Sequence, residues 1–531
     1  MSERISEGIS EGISEGISEG ARDFQVDLNR RLAKHALLNQ EFKEAMGLYE
    51  SSNLNMKKKE HFEDIILYAK SLLNLKLFAR TEKWLIKFLQ SEELANDQKT
   101  YEEALDLLVL AKTQAAPKLQ AKGREGKEGH AQHDSREESP EKKPSAQKKL
   151  DTLKITDVET IILRMPPLNQ TCAWGEDAVV VKIHTNSGLY GIGESDSSPL
   201  VIKSIIETPS SHASCVGLRE ILIGENPLEI EKLWNKMFQH SNYMGRSGAG
   251  IHAMSAIDIA LWDLAGKIYK QPIYTLLGGA YRKKIKAYGT FEPSDDIDQA
   301  RFTARKLKKS GYRSLKMGGG AFGFNDELDF QLVKTVRDEL GADFGLQLDV
   351  VGRWKIASHA KYMIERMQDF HLTWVEEPVL AHDYAGYARL NEQNKVAISG
   401  GEGLTTRWEF QSFIDLSKVD IIQPDITRCG GISEMIKIAE LARTFGRSLI
   451  PHGFSTGILL AATAHFLAAT EEGKLIEYSL SDSILAKNLA LGAPAFKDGY
   501  IHLSDQAGLG VDLDQSIVNR YRVDPAELFK R

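Results

Sequence analysis

The chain has 531 residues, 42% of them hydrophobic and 27% charged, with a formal net charge of -7 at pH 7. That length is more than one ordinary core can use, so several domains are expected. The mild acidic balance carries no basic field for nucleic acid, and no apolar run is long enough to span a bilayer.

The 3 cysteines, Cys172, Cys215 and Cys429, share no metal or redox spacing, which fits a reducing compartment without disulfides. The first residues lack the basic and apolar regions of a signal peptide, so the cytoplasm is the expected location.

Residues 1–22 are mostly a repeat of Ile-Ser-Glu-Gly. Glycine at every fourth position leaves little to bury, and the segment reads as disordered. Residues 23–115 change character. Phe62, Ile65, Ile66, Ala69, Leu72 and Leu73 recur at helical spacing, followed by runs through Trp84, Leu85, Phe88 and Leu89 and through Tyr101, Ala104, Leu105 and Leu108. This small all-α region of helical hairpins resembles tetratricopeptide-type repeats without their regular period. It reads equally as a plain helical bundle or as a module for a protein partner. Residues 116–150 are rich in Lys, Glu, Gly and Pro and form a charged linker.

From 151 the pattern shifts again. Apolar runs around 179–193 predict two antiparallel strands joined by a turn at 185–188, and helical runs follow up to Gly278 and Gly279. Then apolar runs at 284–290, 313–318, 344–350, 372–378, 396–402, 419–425, 447–453 and 475–480 alternate with amphipathic segments of helix length. Eight strands, each but the last followed by a helix, predict an α/β parallel barrel. Chemistry in such barrels sits at the C-terminal strand ends. There stand Lys316, Asp349, Glu376, Glu402, Asp425, His452 and Glu477.

A lone acid at a strand end is usually a helix cap or a turn residue. Here three consecutive strands end in one: Leu-Gln-Leu-Asp349, Trp-Val-Glu376 and Ser-Gly-Gly-Glu402. Hard oxygen ligands meeting at one rim suit a small divalent cation, most plausibly Mg2+. Glu377 points the other way on its strand and is expected in a structural ion pair. Asp425 and His452 end neighbouring strands, and a carboxylate holding one imidazole nitrogen makes the other a better general base.

Lys316 in Leu-Lys-Met, the Glu-Glu-Pro run, Gly-Glu402, Gln423-Pro-Asp-Ile-Thr-Arg-Cys-Gly-Gly431 and Pro-His452-Gly occur in order. Together they resemble the enolase superfamily, and the Asp425–His452 pair resembles its mandelate racemase group. Residues 254–266 resemble the helix joining cap to barrel in that family. The resemblance covers 151–531. It implies a modified TIM barrel, (β/α)7β, over 284–480, with an α+β capping domain from 151–283 and a C-terminal segment, 481–531, returning to the cap.

The resemblance also implies roles. Asp349, Glu376 and Glu402 would hold the metal, and His452 would be the base with Asp425 behind it. Lys316 would touch the substrate carboxylate, and a protonated Glu477 would bond it from the opposite side. Proton abstraction in this superfamily uses a Lys or His base acting with magnesium. Gly318 stands where the group usually has a second lysine, the base on the other face. With Lys316 read instead as the second lysine, Ser314 would take the first place. One base suits β-elimination of water from a sugar acid, as in rhamnonate dehydratases, more than racemisation. An epimerase or cycloisomerase is the alternative within enzymes. The glycine run 318–323 either leaves room for a polyol chain or is a flexible connector. Cap loops at 166–174 and 194–199 would close over the substrate, with Asn169, Trp174 and Arg246 as contacts. Assembly as a homo-oligomer is expected.

Overall fold

The computed structural model describes residues 150, 152–165, 177–393, 395–524 and 526. The chain divides into two compact units, Met1–Pro140 and Glu141–Arg531. The repeat at 1–22, the helical region at 23–115 and the linker lie outside the described residues, apart from Leu150.

A three-stranded antiparallel sheet opens the second unit: β1 (Ile155–Arg164), β2 (Asp177–Thr185) and β3 (Tyr190–Ser195). The β2–β3 turn at 185–188 closes with Gly188 at φ 81°, a conformation that needs glycine. The period of two in β2 sorts its side chains. Val179, Val181 and Ile183 join a core with the cap helices, while Val180 faces the main core with Ile192, Leu509 and Val511. Sequence reading misses β1, where polar and apolar residues mix on both faces and give no clean alternation.

The cap helices are α1 (Pro199–Glu207), α2 (Leu218–Leu222), α3 (Ile230–His240) and α4 (Ala249–Tyr269). Helix α4 is the joint. A Cβ at Gly191 or Gly193 would overlap the carbonyl oxygens of Ala260 and Ala256, so the bare backbone of β3 lets α4 lie directly on the sheet. Its other side docks on the barrel, where Asp258 accepts from the Ser433 N–H at 2.9 Å and the Ser433 hydroxyl at 2.6 Å.

Eight parallel strands follow: β4 (Lys284–Phe291), β5 (Ser314–Gly318), β6 (Gly345–Asp349), β7 (Trp374–Glu376), β8 (Ala397–Gly400), β9 (Ile421–Ile422), β10 (Ser448–Leu449) and β11 (Leu475–Ser479). Seven helices separate them: α5 (Ile297–Lys309), α6 (Asp326–Leu340), α7 (Ala357–Arg366), α8 (Tyr384–Gln393), α9 (Thr406–Ser417), α10 (Gly431–Thr444) and α11 (Gly457–Ala469). Ladders join β4 through β10 in sequence, and β11 pairs back on β4. This is the expected (β/α)7β barrel with its cap. Strands β9 and β10 are shorter than the apolar runs suggest. Pro424 and Pro451 have no N–H to give, so pairing lapses and resumes only at the bridge between Asp425 and His452.

The remaining chain ties the layers together. After α12 (Ile484–Asn488) and β12 (Ala490–Leu491), the hairpin β13 (Ala495–Lys497) and β14 (Tyr500–His502) pairs antiparallel with the start of β4. Then come β15 (Asp512–Leu513) and α13 (Gln515–Tyr521). At their end Arg522 bridges Leu163 of β1, and the Val523 N–H reaches the Ile162 carbonyl at 3.1 Å.

One buried histidine fastens this closure. His465 of α11 donates from Nε2 to the Leu509 carbonyl at 3.1 Å and accepts the Tyr274 N–H on Nδ1 at 3.4 Å. Burial pushes its pKa down to about 4, outweighing the Leu509 contact. No helix among the described residues is long and apolar enough to cross a membrane.

Candidate active site

The inward side chains of the barrel form tiers. At the floor, Tyr288, Trp374 and Ile421 pack together. Ser314 of β5 lies low as well, exchanging hydrogen bonds with Gln347, so Lys316 and not Ser314 stands among the carboxylates. Above them Lys316 is 1% exposed, with its ammonium 2.8 Å from Glu376 Oε1, 3.0 Å from Glu477 Oε1 and 3.4 Å from Asp349 Oδ2. Burial alone would lower the pKa of this lysine, but the three carboxylates raise it well above the ordinary value.

Asp349, Glu376 and Glu402 bring ligand oxygens within 4.8 Å of one another. Oxygens around a magnesium ion at about 2.1 Å stand roughly 3 to 4 Å apart, so a small closure completes the set. Each carboxylate spends one oxygen on a neighbour. Asp349 Oδ1 accepts the Val351 N–H at 3.0 Å. Glu376 Oε2 accepts from Gln423 at 2.7 Å and the Trp374 indole at 3.2 Å. Glu402 Oε1 accepts from Arg428 at 3.1 Å. The second oxygen of Glu376 and that of Asp349 face the Lys316 ammonium, which already stands among them as a positive charge. Hard donors, each oriented by a partner and each with an oxygen within 4.8 Å of the others, fit magnesium.

His452 Nδ1 lies 2.7 Å from Asp425 Oδ2, and its Nε2 lies 3.2 Å from Glu402 Oε2. Asp425 Oδ1 is held by the Thr427 N–H at 2.7 Å and hydroxyl at 2.6 Å. Burial pushes the imidazole down, but the Glu402 and Asp425 carboxylates outweigh it and raise its pKa to about 10. Burial pushes Glu402 up, and His452 with Arg428 bring it down to about 2.

Glu477 is held by several donors. It accepts from Thr290 at 2.5 Å, Gly453 N–H at 2.9 Å and Tyr288 at 3.2 Å. Burial pushes it up, yet Lys316 and His452 carry it below the ordinary carboxylate range. Glu377 departs from the expected ion pair. Among the described residues it forms no ion pair. It takes φ 42°, and burial with the neighbouring Glu402, Asp349 and Glu376 charges raises its pKa well above normal.

Lys316, Asp349, Glu402, His452 and Glu477 line one cavity, with Glu376 and Asp425 buried at its base. Arg246 is exposed at a helix end outside this lining. Asn169, Trp174 and the 166–174 loop lie outside the described residues. The 194–199 loop does reach the site. Its Asp196 lines the cavity and pairs with Arg428 at 2.6 Å, so one guanidinium ties the cap to a metal-ligand candidate. Sequence reasoning misses Arg428, Asp196 and Gln423 as site residues. Gln423 and Arg428 share a motif with Asp425, which was the available signal. The glycine run is no flexible connector. Ala321 N–H bonds the Pro293 carbonyl at 2.9 Å, Gly323 N–H bonds Asp329 at 2.9 Å, and Arg353 holds the Gly320 and Phe322 carbonyls.

Acids converging on a candidate cation site, a buried lysine and a carboxylate-backed imidazole under an α+β cap define a class of barrel enzymes that draw protons from beside carboxylates. Residues 158–278 match the family described as mandelate racemase / muconate lactonizing enzyme, N-terminal domain, and residues 298–517 match enolase C-terminal domain-like. An arabinonate dehydratase of Saccharolobus solfataricus is 31% identical over 355 residues, 65% of this chain and 91% of its own. A D-galactarolactone cycloisomerase of Agrobacterium fabrum is 29% identical over 361 residues, 65% and 92% of the two chains. The crystal structure of a racemase from Streptomyces coelicolor A3(2) with bound magnesium superposes with a TM-score of 0.60 at 26% identity, covering 70% of this chain and 100% of that one. The chain belongs to the enolase superfamily, in its mandelate racemase / muconate lactonizing enzyme branch.

Proposed function

We propose that the protein is a magnesium-dependent hydro-lyase that removes water from a sugar acid to give a 2-keto-3-deoxy acid. Asp349, Glu376 and Glu402 hold the magnesium, which when bound supplies positive charge to the substrate carboxylate. Lys316 binds the same carboxylate. Once the charge of Glu402 is taken up by the metal it would hold, the neutral imidazole of His452, set by Asp425, takes the α-proton on Nε2, leaving an enediolate. The C–O bond to the β-hydroxyl then breaks, and the proton held by His452 leaves with that oxygen as water. The enol that remains tautomerises to the 2-keto acid.

The observation that carries the one-base reading is at Gly318. A Cβ there would overlap Asp349 Cβ and carbonyl oxygen, so no side chain, lysine included, fits at the rim opposite His452. Racemisation, which takes a proton from one face and returns it to the other, lacks its second partner on β5. The arabinonate dehydratase relative supports the same reading.

A second reading, ring opening or closure by a cycloisomerase, draws on the D-galactarolactone cycloisomerase relative and also suits one base. A panel of aldonic acids, aldaric acids and their lactones, incubated with the full chain and magnesium, separates the two. Dehydration yields a 2-keto acid and stops on chelation. A product of unchanged mass, with no 2-keto acid from any substrate, rejects dehydration in favour of the isomerase.

A further inference from the structure

We infer that Glu292 is a specificity-determining residue that recognises hydroxyl groups at the far end of the substrate and excludes acids carrying a second carboxylate there. This rests on the sugar-acid reading above and narrows its substrate class to aldonates. Glu292 follows the last residue of β4 and lines the same cavity as His452 and Lys316. A Cβ on Gly319, itself at φ 65°, would come 3.5 Å from Glu292 Oε1, so the bare glycine leaves the carboxylate uncovered on that side.

The carboxylate is half-buried, and among the described residues it makes no hydrogen bond or ion pair. Every other acid in the cavity is engaged: Asp196 by Arg428, Asp349 by Val351, Glu402 by Arg428, and Glu477 by Thr290 and Gly453. A partly buried carboxylate without donors is a costly arrangement that a ligand's O–H groups relieve.

The nearby cation acts on the charge of Glu292, opposing the rise that burial imposes on its pKa, without bonding to it. Arg353 lines the cavity too, but its Nη1 is spent on the Gly320 and Phe322 carbonyls, and its guanidinium lies 4.3 Å from the Phe324 ring centre. Glu292 itself offers the ligand an acceptor-only carboxylate, with the bonded Nη1 of Arg353 turned to the backbone. It suits the donors of a polyol chain and repels a terminal carboxylate, so one residue supplies both attraction to the right acid and rejection of the wrong one.

Galactonate and galactarate, which differ only in oxidation at the far carbon, make the test. With the wild-type chain and magnesium, calorimetry is expected to show galactonate binding at least about tenfold tighter. In Glu292→Gln, galactonate weakens by about tenfold, the lower part of the range for a hydrogen bond to a charged group, and galactarate gains. With whichever aldonate turns over, KM rises and kcat stays within about twofold, because the contact is uniform between ground and transition states. Equal behaviour of variant and wild type toward both acids overturns the inference. So does a wild-type preference for galactarate, or a collapse of kcat at unchanged KM. Binding is read without turnover, so an isomerase outcome in the product panel leaves this result standing or falling on its own.

Discussion

At the scale of single residues, His452 is set between two carboxylates, with Asp425 fixing Nδ1 and Glu402 facing Nε2. Replacing it with asparagine keeps a donor for Asp425 but removes the group that exchanges protons. His452→Asn is expected to lower kcat by about 10² to 10⁴, the usual contribution of a general base, with the thermal midpoint nearly unchanged. Rate measurements across the substrate panel and a melting curve check both halves, and unimpaired turnover removes His452 from the mechanism. The acids, the lysine and the histidine were legible in the sequence because each closes an apolar run. A rim position on a buried parallel strand is marked by that abrupt change of polarity. Arg428 and Asp196 were not legible as a pair, since they come from cap and barrel segments far apart in the chain. Glu292 was hidden differently, because a single acid beside a proline looks like the start of any loop.

Between elements, the cap is seated by buried carboxylates on the starts of two successive barrel helices. Asp258 of α4 meets the start of α10. Glu194 of β3 accepts from the Ser455 hydroxyl at 2.6 Å, the Thr456 hydroxyl at 2.7 Å and the Leu459 N–H at 3.0 Å at the start of α11. Burial pushes the pKa of each carboxyl up to about 7, and in its ionised form the group also meets the positive end of the helix dipole. Removing it strands several buried donors at once. Glu194→Ala is expected to cost about 3 kcal/mol in urea denaturation, while Glu194→Gln, which keeps one acceptor, recovers part of that. A substitution with no effect on the midpoint means the seat is not where cap and barrel hold each other. The helices and strands themselves were readable from period and punctuation. Their docking was not, because a serine or threonine opening a helix says nothing about which distant acid it will bind.

For the whole second unit, His465 is one source of acid sensitivity, beside His252, whose pKa burial also lowers to about 4. The folded pKa of His465, about 4, lies below its ordinary 6.5. Between these values the unfolded chain binds the extra proton and the folded one does not, so stability falls as pH drops. The neutral ring is needed on both sides, as acceptor for Tyr274 and donor to Leu509. The full shift corresponds to about 3 kcal/mol, present above pH 6.5 and lost toward pH 4. Urea midpoints measured from pH 7 to pH 4.5 are expected to fall less steeply in His465→Gln, which can still donate and accept. Parallel slopes in the two proteins place the acid sensitivity elsewhere. The barrel as a whole was foreseeable from eight evenly recurring runs, whereas its closure by the C-terminal hairpin leaves only short, mixed segments with little periodicity to read.

That closure has a consequence for biosynthesis. Strand β1 is among the first parts of this unit to leave the ribosome, yet its contacts with Arg522 and Val523 wait until the whole barrel has been made. Such a high contact order slows folding and keeps the edge of β1 open to wrong partners in the interval. A nascent chain stopped just before Arg522 would hold every group of the catalytic cavity and still lack the clasp on the cap's first strand.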